Sequence, residues 1–199
     1  FNLIFMPTSV IYMVANFVIR PFLTRLTNLW TGKDYDCFKK ELRNIGAIIL
    51  GLTVLAVGAA AVLGKWVLSV MEMILGRGYE GRLVSYYGAF IIIVLGGGFY
   101  ALANLMYYAL VIMRRQKAIF AVYLAAAAAA AVLSGFLVSK FGINGAAGCY
   151  LLLMMGLVTG FGLHTAGACQ SEKKENSTQQ KMNPMDVTDL FERYMGLKR

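Results

Sequence analysis

Five stretches of this chain, residues 3–19, 45–63, 84–113, 119–138 and 143–163, hold no charged side chain at all. A helix of about 20 mostly apolar residues crosses about 30 Å of hydrocarbon, so each stretch is long enough, or nearly so, to span a bilayer. Hydrocarbon offers no partner to a free backbone N–H or C=O, and the period-two alternation of a barrel strand is missing, so each is expected to be helical. The expected fold is an all-α membrane protein of about five transmembrane helices with short interfacial helices.

Composition agrees. Of 199 residues, 59% are hydrophobic and 15% charged, against about 45–50% and about 25% in soluble domains; mean hydropathy is +0.64. The net charge of +9 does not form a nucleic-acid face, because the basic residues fall in short clusters between the apolar runs. Fifteen of the nineteen Lys and Arg lie on one side of the expected membrane: Arg20 to Arg43, Arg114 to Lys117, and Lys173 to Arg199. Only Lys65, Arg77, Arg82 and Lys140 lie on the other. The positive-inside rule places the richer side, and the C-terminus, in the cytoplasm. The bilayer is the partner this pattern demands.

Two flanking segments read as interfacial. Phe22, Leu26, Leu29 and Trp30 form one stripe after Pro21, which predicts a bend at Pro21 and a helix lying along the inner surface. Lys65, Ser69 and Glu72 recur at helical spacing after Leu63, which predicts an outer-surface helix ending at Gly76–Gly78. Residues 167–199 read as a cytoplasmic tail: polar and disordered over Gln170 to Asn183, then a short amphipathic helix carrying Val187, Leu190, Phe191 and Tyr194. The sequon at Asn176 would lie in the cytoplasm and is a chance match.

Chemistry-bearing motifs are few. Cys37, Cys149 and Cys169 have neither pairing nor metal-ligand spacing, and His164 has no ligand partners nearby, so no metal or cofactor is implied. No nucleophile elbow, histidine–carboxylate pair or phosphate loop is present, and the chain reads as a non-enzyme. The third apolar stretch is the informative one. Gly97, Tyr100, Asn104 and Tyr107 fall at three- and four-residue steps, and such a polar stripe should face protein or a water-filled cavity. It is either a cavity wall for a polar substrate such as a sugar or a set of interhelical hydrogen bonds. Gly96, Gly97 and Gly98 interrupt the same stretch as a hinge or a close-packing face. Ala125–Ala131 and the Gly156/Gly160 pair read as small-residue packing faces. Asn16 and Arg20 lie one turn apart near the inner end of the first span, where Arg20 either snorkels to water or offers its fork to a phosphate.

The run Phe5-Met6-Pro7-Thr8, then Asn16 to Pro21, the basic loop, Gly96-Gly97-Gly98-Phe99, Tyr107-Tyr108 to Lys117, and Phe141-Gly142-Ile143-Asn144-Gly145-Ala146-Ala147 together resemble the C-terminal half of bacterial polysaccharide flippases. These are the Wzx-like members of the multidrug/oligosaccharidyl-lipid/polysaccharide exporter superfamily, and the similarity covers about residues 1 to 165. The resemblance implies the last five helices of a twelve-helix, two-lobe transporter in the bacterial cytoplasmic membrane; an opening residue of Phe1 rather than Met fits a chain that begins mid-protein. It also implies a substrate, an undecaprenyl-pyrophosphate-linked oligosaccharide turned from the inner to the outer leaflet by alternating access, with other polysaccharide-assembly proteins as partners. Two alternatives stand beside it. One is a multidrug/cation antiporter of the same superfamily, which the lack of carboxylates in the apolar stretches disfavours. The other is a membrane-embedded enzyme of cell-surface polysaccharide assembly, which a large outer loop would favour.

Overall fold

The computed structural model of the protein describes residues 2–75 and 86–194. The described residues fold as α1 (Asn2–Thr31), α2 (Tyr35–Leu75), α3 (Tyr87–Ile112) and α4 (Gln116–Tyr194). The start of the expected third span at Val84, the expected helix end at Gly76–Gly78, and everything after Tyr194 lie outside the described residues, as do the side chains before Met13 and those of the last turns of α4.

α4 is two helices in one. Gly142 has φ 55° and ψ −128°, a break in otherwise helical backbone. The rings of Tyr123 and Phe161 lie 5.3 Å apart, although thirty-eight residues of straight helix would separate them by about 57 Å. The chain therefore reverses at Gly142, and arms 116–141 and 143–194 run antiparallel. Gly145 completes the turn: a Cβ there would collide with the carbonyl oxygen of Leu137.

Among the described residues, the α1–α2 and α3–α4 connections share one device. α1 ends with Lys33 at φ 59°, its N–H donating to the Trp30 carbonyl and that of Asp34 to the Leu29 carbonyl. α3 ends with Arg114 at φ 55°, its N–H donating to Val111 and that of Arg115 to Leu110. Both are Schellman closures with a cation, rather than glycine, in the left-handed position, where its charge faces the negative end of the helix dipole. Asp34 then caps α2, its carboxylate accepting from the Cys37 N–H at 3.2 Å.

Two ion pairs bring these turns and the far part of α4 to one end of the bundle. Arg115 meets Glu172 at 3.5 Å and Lys173 meets Asp36 at 2.7 Å. This basic end gathers the α1–α2 turn, the α3–α4 turn and the stretch after Leu163, three segments that the charge pattern assigns to a common side. Gly142 and the start of α3 lie at the opposite end, where the Tyr87 hydroxyl donates to the Ala61 carbonyl at 2.6 Å.

α3 is the hub. It packs against α1, α2 and α4, and Ala89, Ile93, Leu105, Ala109 and Leu110 are fully buried, as expected of a helix apolar all round. The outer surface is apolar instead: Val62 is 80% and Val132 76% exposed, with Phe120, Leu124 and Phe136 also bare. Water does not favour so much bare apolar surface, and hydrocarbon does. α2, α3 and α4 are long and apolar enough to cross a membrane. The molecule is a membrane-embedded helical bundle.

Three expectations need correction. No separate surface helix follows Pro21: α1 is helical through Thr31, since a proline removes one backbone hydrogen bond and a neighbouring helix supports the rest. Its stripe meets protein, not headgroups. Leu26 is fully buried and Trp30 packs edge-on against Phe38 at 5.2 Å. Likewise α2 continues unbroken from the 45–63 stretch to Leu75, because Gly64 serves there as a close-packing site against Tyr87 and Phe90 rather than as a breaker. Finally, residues 170–183, expected as a disordered tail, extend α4; the ion pairs of Glu172 and Lys173 tether the start of that extension to the two basic turns.

Candidate functional site

The residues singled out in the sequence do not form one cavity wall. Asn104 of α3 donates from Nδ2 to Oδ1 of Asn16 on α1 at 3.3 Å, in a half-buried position. This joins two candidate residues 88 positions apart in a bond that ties α1 to the hub, worth about 0.6–2 kcal/mol between membrane helices. Tyr107 faces elsewhere, its ring 5.5 Å from Tyr108, 6.3 Å from Tyr123 and 6.4 Å from Phe161, so it belongs to the junction with both arms of α4. Tyr100 is half-buried one turn from Gly96, against which the Tyr150 ring of α4 packs. The stripe thus divides between α1 and the two arms of α4.

Arg20 stands apart. It is exposed, on a face of α1 that also leaves Met13 and Phe17 bare, one turn beyond the bonded Asn16. Pro21 beside it is exposed too. The next cation along α1, Arg25, is by contrast engaged with Glu41 of α2 at 3.2 Å.

The glycine triplet is a packing surface. A Cβ on Gly96 would lie 2.6 Å from the Tyr150 ring, and one on Gly98 would overlap the side chain of Thr53. Gly97 between them is buried. The Thr53 hydroxyl is itself satisfied within α2, donating to the Ile49 carbonyl at 2.8 Å, which is how a hydroxyl is carried in an apolar setting.

A cavity of about 530 Å³ opens at the basic end, between the first turns of α2, Met106 of α3, and the Gly162–Cys169 stretch of α4. Asp36, Lys39, Lys40 and Arg43 line its rim, while Leu42, Met106 and Gly162 are among the residues of its floor. None of Asn16, Arg20, Tyr100, Asn104 or Tyr107 lines it. Sequence reasoning passed over these cations by counting them only as topology markers. Yet positions 36, 39, 40 and 43 follow the i, i+3, i+4, i+7 rhythm of one helix face, and that spacing could have placed them together. Asp36 does not cancel its neighbours, because both its carboxylate oxygens accept from Lys173 at 2.7 and 2.9 Å. Near the rim, Cys37 is exposed. Its side-chain hydrogen bond to Asp34, reinforced by that carboxylate's charge, pushes its thiol pKa up.

A second, smaller cavity of about 170 Å³ lies between α2 and α3 and is lined by apolar residues with Thr53 and Gly98. Among the described residues no three of His, Cys, Asp and Glu converge as a metal site. Compared with protein families, curated proteins and solved structures, the chain finds no match.

Proposed function

We propose that this bundle is the C-terminal part of a transporter that turns a lipid-linked oligosaccharide across the bacterial cytoplasmic membrane. The basic end faces the cytoplasm, and the helices span the bilayer five times, with the two arms of α4 counted separately. The observation that carries the reading is the uncovered face of α1. It presents the bare side chains of Met13 and Phe17 and the exposed Arg20 one turn from the amide pair Asn16–Asn104. A membrane helix with a guanidinium on its open face and amides at its edge is suited to line a path shared with a second lobe. The ordered run of motifs that resembles polysaccharide flippases supports the same conclusion.

In such a transporter Arg20 holds phosphate at the inner mouth, and the amide–phenol line of α3 keeps the bundle rigid as the lobes rock. An antiporter of cations is the weaker reading, since the 45–63, 119–138 and 143–163 stretches carry no carboxylate to offset a cationic guest.

The test uses the full-length gene in its native host. Arg20→Ala is expected to lower oligosaccharide export roughly tenfold or more, the loss of one charged hydrogen-bonding group, with membrane insertion unchanged and lipid-linked precursor accumulating on the inner leaflet. Unaltered export would remove Arg20 from the path. Precursor reaching the outer leaflet at its usual rate after deletion of the gene would end the flippase reading.

A further inference from the structure

The cavity at the basic end combines two chemistries that one class of ligand satisfies. Its rim carries three cations, Lys39, Lys40 and Arg43, and among the described residues no carboxylate forms an ion pair with any of them. The single acid of the rim, Asp36, is held by Lys173. The floor is apolar or small: Leu42 and Cys169 are buried, and Thr165, also buried, spends its hydroxyl on the Phe161 carbonyl at 2.8 Å. Little polar capacity remains at depth, while the charge at the rim is positive and uncompensated.

Position adds a third constraint. The cavity sits where the charged first turns of α2 give way to its apolar stretch, level with the last apolar turns of the second arm of α4. In a bilayer this is headgroup depth, beside the hydrocarbon boundary. Size adds a fourth, for about 530 Å³ falls within the ~300–1,000 Å³ usual for small-molecule sites. Basic pockets between membrane helices at this depth suit anionic lipid headgroups, and the guanidinium of Arg43 can grip a phosphodiester with two parallel hydrogen bonds.

We infer that this cavity binds the headgroup of an anionic phospholipid, with Lys39, Lys40 and Arg43 on the phosphate and the glycerol and first methylenes over Leu42, Met106 and Gly162. The bound lipid bridges the start of α2 to the second arm of α4, beside the Lys173–Asp36 contact. This site is distinct from the Arg20 face and needs only a bilayer, not the transport activity proposed above.

Gly162 gives a way to test occupancy apart from charge. A Cβ at this position meets nothing within 4 Å, so Gly162→Leu brings a side chain to the floor with no clash at its first carbon. The chain in zwitterionic detergent is titrated with phosphatidylglycerol and, in parallel, with phosphatidylcholine, and bound lipid is counted by native mass spectrometry. The wild type is expected to retain phosphatidylglycerol at least roughly tenfold more tightly than phosphatidylcholine. The triple variant Lys39→Gln/Lys40→Gln/Arg43→Gln is expected to lose that preference, and so is Gly162→Leu with every charge intact. A control that removes three basic residues outside the cavity, Arg114→Gln/Lys117→Gln/Lys174→Gln, is expected to keep it within about twofold. Equal loss in the two triple variants would mean a general surface field and overturn the proposal. So would full retention by Gly162→Leu. Displacement of the lipid by millimolar inorganic pyrophosphate would identify a free-anion site instead and overturn the lipid assignment.

Discussion

Gly142→Ala is expected to destabilise the bundle by about 1–3 kcal/mol, read as a shift in unfolding by heat or dodecyl sulfate in mixed micelles. At φ 55° and ψ −128° the backbone is in a mirror-image extended region where an L side chain meets its own carbonyls, and residues forced into such regions cost of order 1–3 kcal/mol. The site has no cheap escape. Relaxing φ to a negative value would swing arm 143–194 away from arm 116–141, and with it the contact between Val122 and Gly160 and the ring packing of Tyr123 on Phe161. Gly135 in the same arm supplies the comparison, since a Cβ there meets nothing within 4 Å. Gly135→Ala is expected to be neutral or to stabilise, by up to about 1 kcal/mol from helix propensity. Equal behaviour of the two variants would mean that the reversal does not depend on the conformation of Gly142.

Gly98→Ala is expected to cost about 1–3 kcal/mol by the same measurement, the usual range for an added methyl in a packed core. A Cβ on Gly98 would overlap Cβ, Cγ2 and Oγ1 of Thr53. Turning Thr53 aside gives no relief, because the added carbon lies 2.7 Å from Thr53 Cβ itself, which no rotamer moves, and the hydroxyl is bound to Ile49. The helices α2 and α3 must separate to make room, and that reaches the buried residues on both sides of the crossing. Thr53→Gly should rescue Gly98→Ala in part, giving a coupling energy of roughly 0.5–3 kcal/mol, whereas Thr53→Gly combined with Gly88→Ala should show none, since Gly88 faces open space. Simple additivity of the first pair would contradict the contact.

Legibility in the sequence differs by element. The uncharged stretches 45–63, 119–138 and 143–163 each lie inside a helix, and the gap between the last two marks the Gly142 reversal. Burial in lipid writes itself into composition, so these features need no tertiary knowledge. The ends of helices were less legible. The segments after Pro21 and Leu63 read as surface helices because an amphipathic stripe reads the same whether it meets headgroups or another helix; only the position of Phe38 beneath Trp30 and of Tyr87 against Gly64 decides it. The polar stripe of α3 was expected to face protein or a cavity, but a one-dimensional stripe does not say how many neighbours share it: Asn104 bonds to α1, and Tyr107 packs on both arms of α4. The cationic cavity was missed for a related reason. Its walls come from α2, α3 and α4, and no local pattern shows that Met106 and Gly162 close beneath Lys39 and Arg43.

The orientation of the basic end is tested most directly by two cysteines. Cys37 lies at that end and is exposed, while Cys149 and Cys169 are buried. Asn144 is exposed beside the Gly142 reversal at the opposite end, so Asn144→Cys adds a second reporter. Because Asp34 raises the Cys37 pKa, its thiolate is scarcer than that of a free cysteine at neutral pH, and its labelling rate should climb only at a more alkaline pH than usual. With a membrane-impermeant maleimide at alkaline pH, right-side-out vesicles are expected to label Asn144→Cys and spare Cys37, and inverted vesicles to do the reverse. Labelling of both positions from the same face would contradict the membrane-spanning arrangement and the transport proposal with it.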